Sequence, residues 1–207
     1  MRYALLVLFA ANCSTDPARP RHYFELYLSG ACEISRSTES GQVYERVYRT
    51  LESGLPTRET VVRQDTGQVE TKDYELDGYR LAHVWVTNSQ GAVVRKDYFY
   101  DENRLSEVRD YALMAAGDLL IGGASYNWLA DDEIVLLDLD GRKVQSAKQL
   151  TDTEGRYAGD QVFDDTGRLV STSINHYKDD RITRRDITFS TDDETTVLNF
   201  DSYFYCD

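Results

Sequence analysis

The sequence predicts an all-β chain: an antiparallel meander of about 12 to 14 strands, built from strand-turn units of about 12 residues and strongly curled or barrel-like. Three observations predict it. Turn residues recur on a ladder of Gly41, Gly54, Gly67, Gly78, Gly91, Asn103, Gly117, Asp132, Gly141, Gly155, Gly167, Asp180 and Asp193, at steps of 9 to 15 residues. Tight hairpins need positive φ, which Gly, Asn and Asp tolerate best. Between the turns the chain is rich in Val, Ile, Thr, Tyr and Phe, which suit a pleated surface. The third observation is a pair of cysteines at the two ends of this region, Cys32 and Cys206.

Taken in order, the chain opens with Met1-Arg-Tyr-Ala-Leu-Leu-Val-Leu-Phe-Ala-Ala-Asn-Cys13. One basic residue before a short apolar run has the form of a signal peptide, and the run is too short to span a bilayer. Ala10-Ala11-Asn12-Cys13 resembles a bacterial lipoprotein cleavage box, which implies lipidation of Cys13. Residues 1–12 therefore read as a lipoprotein-like signal peptide and residues 13–21, with Pro17 and Pro20, as a tether. Residues 22–207 read as a single β-repeat domain.

Tyr23-Phe-Glu-Leu-Tyr-Leu28 is the first strand candidate. Strands such as Val43–Arg49 and Val69–Glu75 carry charge at alternate and adjacent positions, so both faces are expected to meet water. Tyr111–Ala116 is the one stretch with helical character, and it is too short for more than a turn or two. Gly122-Gly123 marks a bulge or bend. Glu133-Ile-Val-Leu-Leu-Asp138 is the most apolar strand and is expected to be covered on both faces. Residues 142–199 return to the regular spacing.

The formal net charge of −13 disfavours DNA, RNA and anionic membrane surfaces at long range. His22, His83 and His176 form no metal-ligand spacing with another His or Cys. No phosphate loop, Rossmann fingerprint or nucleophile elbow is present. Asp138-Leu-Asp140-Gly141 lacks the closing Glu of a calcium loop and reads as a hairpin turn. Thr57–Gln64 and Arg181–Asp186 put charges on both faces, against the uncharged outer band of a transmembrane barrel. No metal, cofactor or catalytic residue is expected.

In an exported protein, Cys32 and Cys206 are expected to form a disulfide. Its Cα atoms must lie within about 7 Å. A flat sheet of thirteen strands would hold its first and last members about 60 Å apart. The bond and a flat sheet exclude each other, so the sheet is expected to curl shut.

Three units, Tyr98-Phe-Tyr-Asp-Glu-Asn-Arg-Leu105, Phe163-Asp-Asp-Thr-Gly-Arg-Leu169 and Tyr177-Lys-Asp-Asp-Arg-Ile182, resemble the YD repeats of Rhs-type bacterial surface proteins. More loosely, the repeating sheet over residues 40–195 is similar to variant MORN repeats. The resemblance implies a sheet scaffold and a cell-surface association, and no activity. The expected function is a non-catalytic scaffold in the bacterial envelope that presents a curved sheet to a protein or glycan partner. Tyr98, Tyr100, Trp85 and Trp128 are the candidate binding aromatics. Two alternatives remain open: a barrel-like periplasmic carrier of a hydrophobic ligand, its cavity lined near Leu119 and Ile134, and an envelope enzyme or enzyme-neutralising partner.

Overall fold

The computed structural model describes residues 30–52, 55–78, 80–102, 104–130, 132–179, 181–190 and 196–206. The leader, Cys13, the tether and the Tyr23–Leu28 strand candidate lie outside these residues. The described chain is fourteen antiparallel strands. The first seven are β1 (Glu33–Thr38), β2 (Val43–Glu52), β3 (Leu55–Arg63), β4 (Val69–Asp77), β5 (Arg80–Thr87), β6 (Val93–Asp101) and β7 (Arg104–Ala112). The rest are β8 (Leu119–Trp128), β9 (Glu133–Leu137), β10 (Lys143–Thr151), β11 (Tyr157–Asp164), β12 (Leu169–Lys178), β13 (Arg181–Ser190) and β14 (Thr196–Phe204). Each strand pairs with its sequence neighbours, and β1 pairs with β14 from Glu33↔Phe204 to Thr38↔Asn199. The sheet is therefore a closed barrel, and closure removes its open edge strands.

Every connection between these strands contains one residue of the predicted turn ladder. The connections alternate between two rims. One carries Cys32 and Cys206, whose side chains are bonded with Cα atoms 5.7 Å apart; we call it the stapled rim. Its tightest turns put Glu102 and Asp179 at positive φ. At the far rim the turns are longer, and Asn88, Asp138 and Asp164 fold three of them. The Asp164 carboxylate accepts from the amides of Thr166 and Arg168 at 3.0 and 2.9 Å, and Gly167 follows at φ +89°. Asp138 accepts from Asp140 and Arg142 in the same way, so its carboxylate serves the turn. Tyr111 and Ala112 finish β7 as strand, and the chain turns after them without a helix. Cross-strand pairing with β6 extends through Ala112 and overrides the local helical character.

Opposite Asp110 and Tyr111, β8 carries one extra residue, Ile121, between Leu120 and Gly122. The bulge falls where the two glycines predict it.

The apolar core follows the inner wall from β9 round through β14 to β3. It comprises Ile134, Leu136, Ala147, Val162, Tyr157, Ile182, Tyr203, Ile34, Val47 and Val61. A smaller cluster holds Leu81 and Val84 against Tyr74 and Tyr98. In β9, Ile134 and Leu136 are buried while Val135 and Leu137 are half-buried, so one face of this apolar strand is covered fully.

A recurrent device locks the stapled rim. Arg80, Arg104, Arg156 and Arg181 stand at or just before the start of β5, β7, β11 and β13. Each guanidinium lies over an aromatic ring close to the end of the next strand: Tyr100, Trp128, Tyr177 and Tyr205 respectively. Three of these rings also donate to the carbonyl of the residue after the arginine. Trp128 Nε1 donates to Leu105, Tyr177 OH to Tyr157 and Tyr205 OH to Ile182, at 2.9, 2.6 and 2.9 Å. Cation–π attraction at all four sites, joined by a hydrogen bond at three, thus ties these hairpins to their neighbours.

Candidate functional site

The inner wall carries charge as well as apolar surface. Directly paired residues share a face, so the polar side chains form rows across the strands. One row runs Asp160 (β11), Arg185 (β13), Asp201 (β14), Arg36 (β1), Glu45 (β2) and Arg63 (β3), its signs alternating throughout. Arg185 Nη2 donates to Asp160 Oδ2 at 3.1 Å and to Tyr157 OH at 2.7 Å. Tyr157 OH in turn donates to Asp160 at 2.6 Å, and Ser173 Oγ to the other Asp160 oxygen at 3.0 Å. Arg185 is paired in register with Asp201, and Asp201 lies 3.7 Å from Arg36 Nε. Arg36 bridges to Glu45, whose other oxygen is 3.8 Å from Arg63.

Arg185 is completely buried, at 0 % exposed. Burial opposes its charge, but Tyr157 and Asp160, then Tyr203 and Asp201, outweigh it and hold the guanidinium protonated. Burial raises the Tyr157 phenol well above its usual range, so it remains a donor.

A second row runs Arg49 (β2), Glu59 (β3) and Lys72 (β4). Glu59 accepts from Arg49 Nε at 2.9 Å and from Lys72 Nζ at 3.1 Å. Burial pushes its carboxyl up, yet Lys72 and Arg49 together win and hold it at about 2.

Both rows reach the far rim, where a pocket of about 410 Å³ opens. Arg36, Glu45, Arg63, Glu70 and Lys72 supply its charges, and Gln68, Asn88, Ser89 and Gln90 add amide and hydroxyl groups from two turns. Asn88 is held by its own turn, accepting from Gln90 and Ala92 at 3.0 Å. Arg63 is the most open cation, with its side chain 60 % exposed. The lining is polar and of both signs. It can hydrogen-bond a polar ligand along its length.

The outer wall is charged too, and its charges are paired. Arg58 meets Asp73, Arg46 meets Glu33, Arg109 meets Glu107 and Arg95 meets both Asp97 and Asp118. The arginines double as covers for rings: Arg95 lies over Tyr111, Arg109 over Phe99 and Arg184 over Phe200. His83 Nδ1 lies 2.7 Å from Asp97, and His176 Nε2 lies 3.0 Å from Asp186. Each His–Asp pair stands on the outer face of neighbouring strands, with an arginine on the same carboxylate.

Three of the four predicted binding aromatics, Tyr98, Tyr100 and Trp128, face the inner wall, and Trp85 faces outward. Tyr98 packs against the Leu81–Val84 cluster, Trp128 against the main core, and Tyr100 lies under Arg80. Trp85 is on the outer wall, paired with Asp73 and Arg95. Ile134 and Leu119 are likewise separated: the first is 1 % exposed in the core and the second 55 % exposed at the far rim. Cys32 and Cys206 are joined, as expected for an exported chain.

The buried rows escape sequence reading. Arg185 and Glu59 sit among other charged residues, and adjacent charges on a strand read as two wet faces. The usable signal is the match of sign between neighbouring strands at fixed register, which needs the pairing to be known.

No family model matches the chain, and no curated protein matches it. Among solved structures, a porin-like protein from Bacteroides uniformis is similar at a TM-score of 0.45 and 8 % identity, over 85 % of this chain and 96 % of that one.

Proposed function

We propose that the chain is a non-catalytic, exported barrel of the bacterial envelope that binds a polar partner, a peptide or glycan, at its far-rim pocket. The observation that carries this reading is the pocket itself. It is open, polar and backed by two charge rows that fix its side chains before any ligand arrives. Pre-ordered side chains lose little entropy on binding. The disulfide supports export, since such bonds persist in oxidising compartments. A water-facing barrel is favoured over a membrane-spanning one by the outer wall. Among the described residues, Arg46, Arg58, Arg95, Arg109 and Arg184 with their carboxylates put charge on the outer wall of β2, β3, β6, β7 and β13, where a membrane barrel carries an uncharged band. A hydrophobic-ligand carrier is disfavoured because the pocket lining is polar and the apolar inner wall is packed.

Two measurements test the reading. Intact mass of the protein from a bacterial host, with and without reduction, should show a processed chain that gains two hydrogens. Titration of labelled protein with envelope glycan fragments and mixed-charge peptides should shift the resonances of Gln68 and Asn88–Gln90, and Arg63→Glu should abolish the shifts. A full-length chain with free thiols, or ligand shifts confined to other walls, sinks the proposal.

A further inference from the structure

The staggered ladder leaves several strand ends paired on one side only, among them Tyr74–Asp77 and Tyr98–Asp101, and one such stretch is apolar and exposed. β9 pairs with β8 only from Ser125↔Leu137 to Trp128↔Ile134. β7 pairs with β8 as far as Ala112↔Leu119. Residues 119–124 therefore have a strand on one side only among the described residues. The β9–β10 turn lies beside their C-terminal end, with the Leu139 side chain against Gly123. The stretch is apolar and exposed: Leu119 at 55 %, Leu120 at 47 %, Ile121 at 53 %, flanked by Met114 at 59 % and Leu139 at 45 %.

Soluble sheets normally blunt such an edge with Lys, Pro or an inward charge. This one has a bulge at Ile121 and no charge of its own. The acids around it have partners, the loosest being Asp140 beside Leu139, 75 % exposed and 3.9 Å from Arg142. Asp118 pairs with Arg95 at 2.7 Å, Asp110 with Lys96 at 2.8 Å, and Asp138 accepts two amides of its own turn. In a chain of net charge −13, this rim is where two copies can approach with their carboxylates neutralised.

We propose that residues 119–122 form a homodimer interface, pairing antiparallel with the same edge of a second copy about a two-fold axis. An isologous contact needs one patch that complements itself, and an apolar β edge does so. The five exposed side chains offer roughly 500 Å² per copy, so a pair buries about 1,000 Å², the lower end for a specific interface. The dimer is accordingly expected to be weak and concentration-dependent.

The test is sedimentation velocity on the purified full chain from micromolar to near-millimolar concentration. The wild type should pass from monomer to dimer. Leu120→Lys places like charges across the axis and should raise the dissociation constant at least about tenfold. Ile174→Lys, on the exposed outer wall of β12, should leave it unchanged. Met114→Lys, in a turn that carries no ladder hydrogen bond, repeats the disruption without touching a strand. Thermal melts check that each variant is folded. A monomer at every concentration overturns the proposal, and so does a dimer that survives both Leu120→Lys and Met114→Lys.

Discussion

Buried charges decide the chemistry of single residues here. Glu59 is 2 % exposed and its carboxyl is held at about 2 by Lys72 and Arg49. A depressed native pKa stabilises the fold above the unfolded value of about 4.3, and that contribution is lost as pH falls from there toward 2. The magnitude is about 3 kcal/mol. Urea unfolding at neutral pH and at pH near 3 should show most of that loss, and Glu59→Gln should flatten the dependence by the same amount. An unchanged pH slope in the variant would mean that other carboxylates carry the acid sensitivity. Arg185 has no such window, because it stays charged across the range.

At the scale of strands and turns, Gly159 marks a place where backbone meets backbone, and Gly167 does not. Gly159 in β11 has φ +141°, and a Cβ there would run into the Ser173 carbonyl of β12. Gly167, in a far-rim turn, has φ +89° but open space around it. Gly159→Ala should therefore cost several kcal/mol and Gly167→Ala about 1 to 2, read as the difference in urea unfolding free energy. Equal costs would show that φ alone matters. This level was largely legible in the sequence. The turn ladder from Gly41 to Asp193 places every connection, because turn chemistry is local. The pairing of Cys32 with Cys206 implies closure through a length argument. What stayed hidden is which face each side chain takes. Tyr98, Trp128 and Trp85 look alike along a strand, and a bulge such as that between Phe99 and Tyr100 resets the alternation. The polar pocket was invisible for the same reason: Arg36, Arg63 and Asn88 meet only once the sheet is rolled.

For the molecule as a whole, the ring is closed twice, by the β1–β14 ladder and by a bond across 174 residues of sequence. Reduction should lower the unfolding free energy by up to about 5 kcal/mol on the chain-entropy model. Urea unfolding with and without a thiol reductant measures it. Hydrogen exchange in β5–β7, on the far side of the ring, should change only through global unfolding. If reduction leaves the midpoint untouched, the ladder alone holds the seam. Paired charges outside and packed rows inside brace the barrel on both faces.

The inner charges have one further consequence, for how a ring of fourteen strands finds its alignment. A strand that slips by two residues keeps every side chain on its own face, so burial alone cannot detect the error. The charge order can. β2 presents Glu45, Val47, Arg49 and β3 answers with Arg63, Val61, Glu59. A slip by two sets a charge against a valine. A slip by four sets Arg49 against Arg63, or Glu45 against Glu59. Each mistake strands a buried ion at a cost of several kcal/mol. The rows thus act as a proofreading code around the seam: from β11 to β4, the alignment that pairs every charge is the one in which the last strand returns to the first.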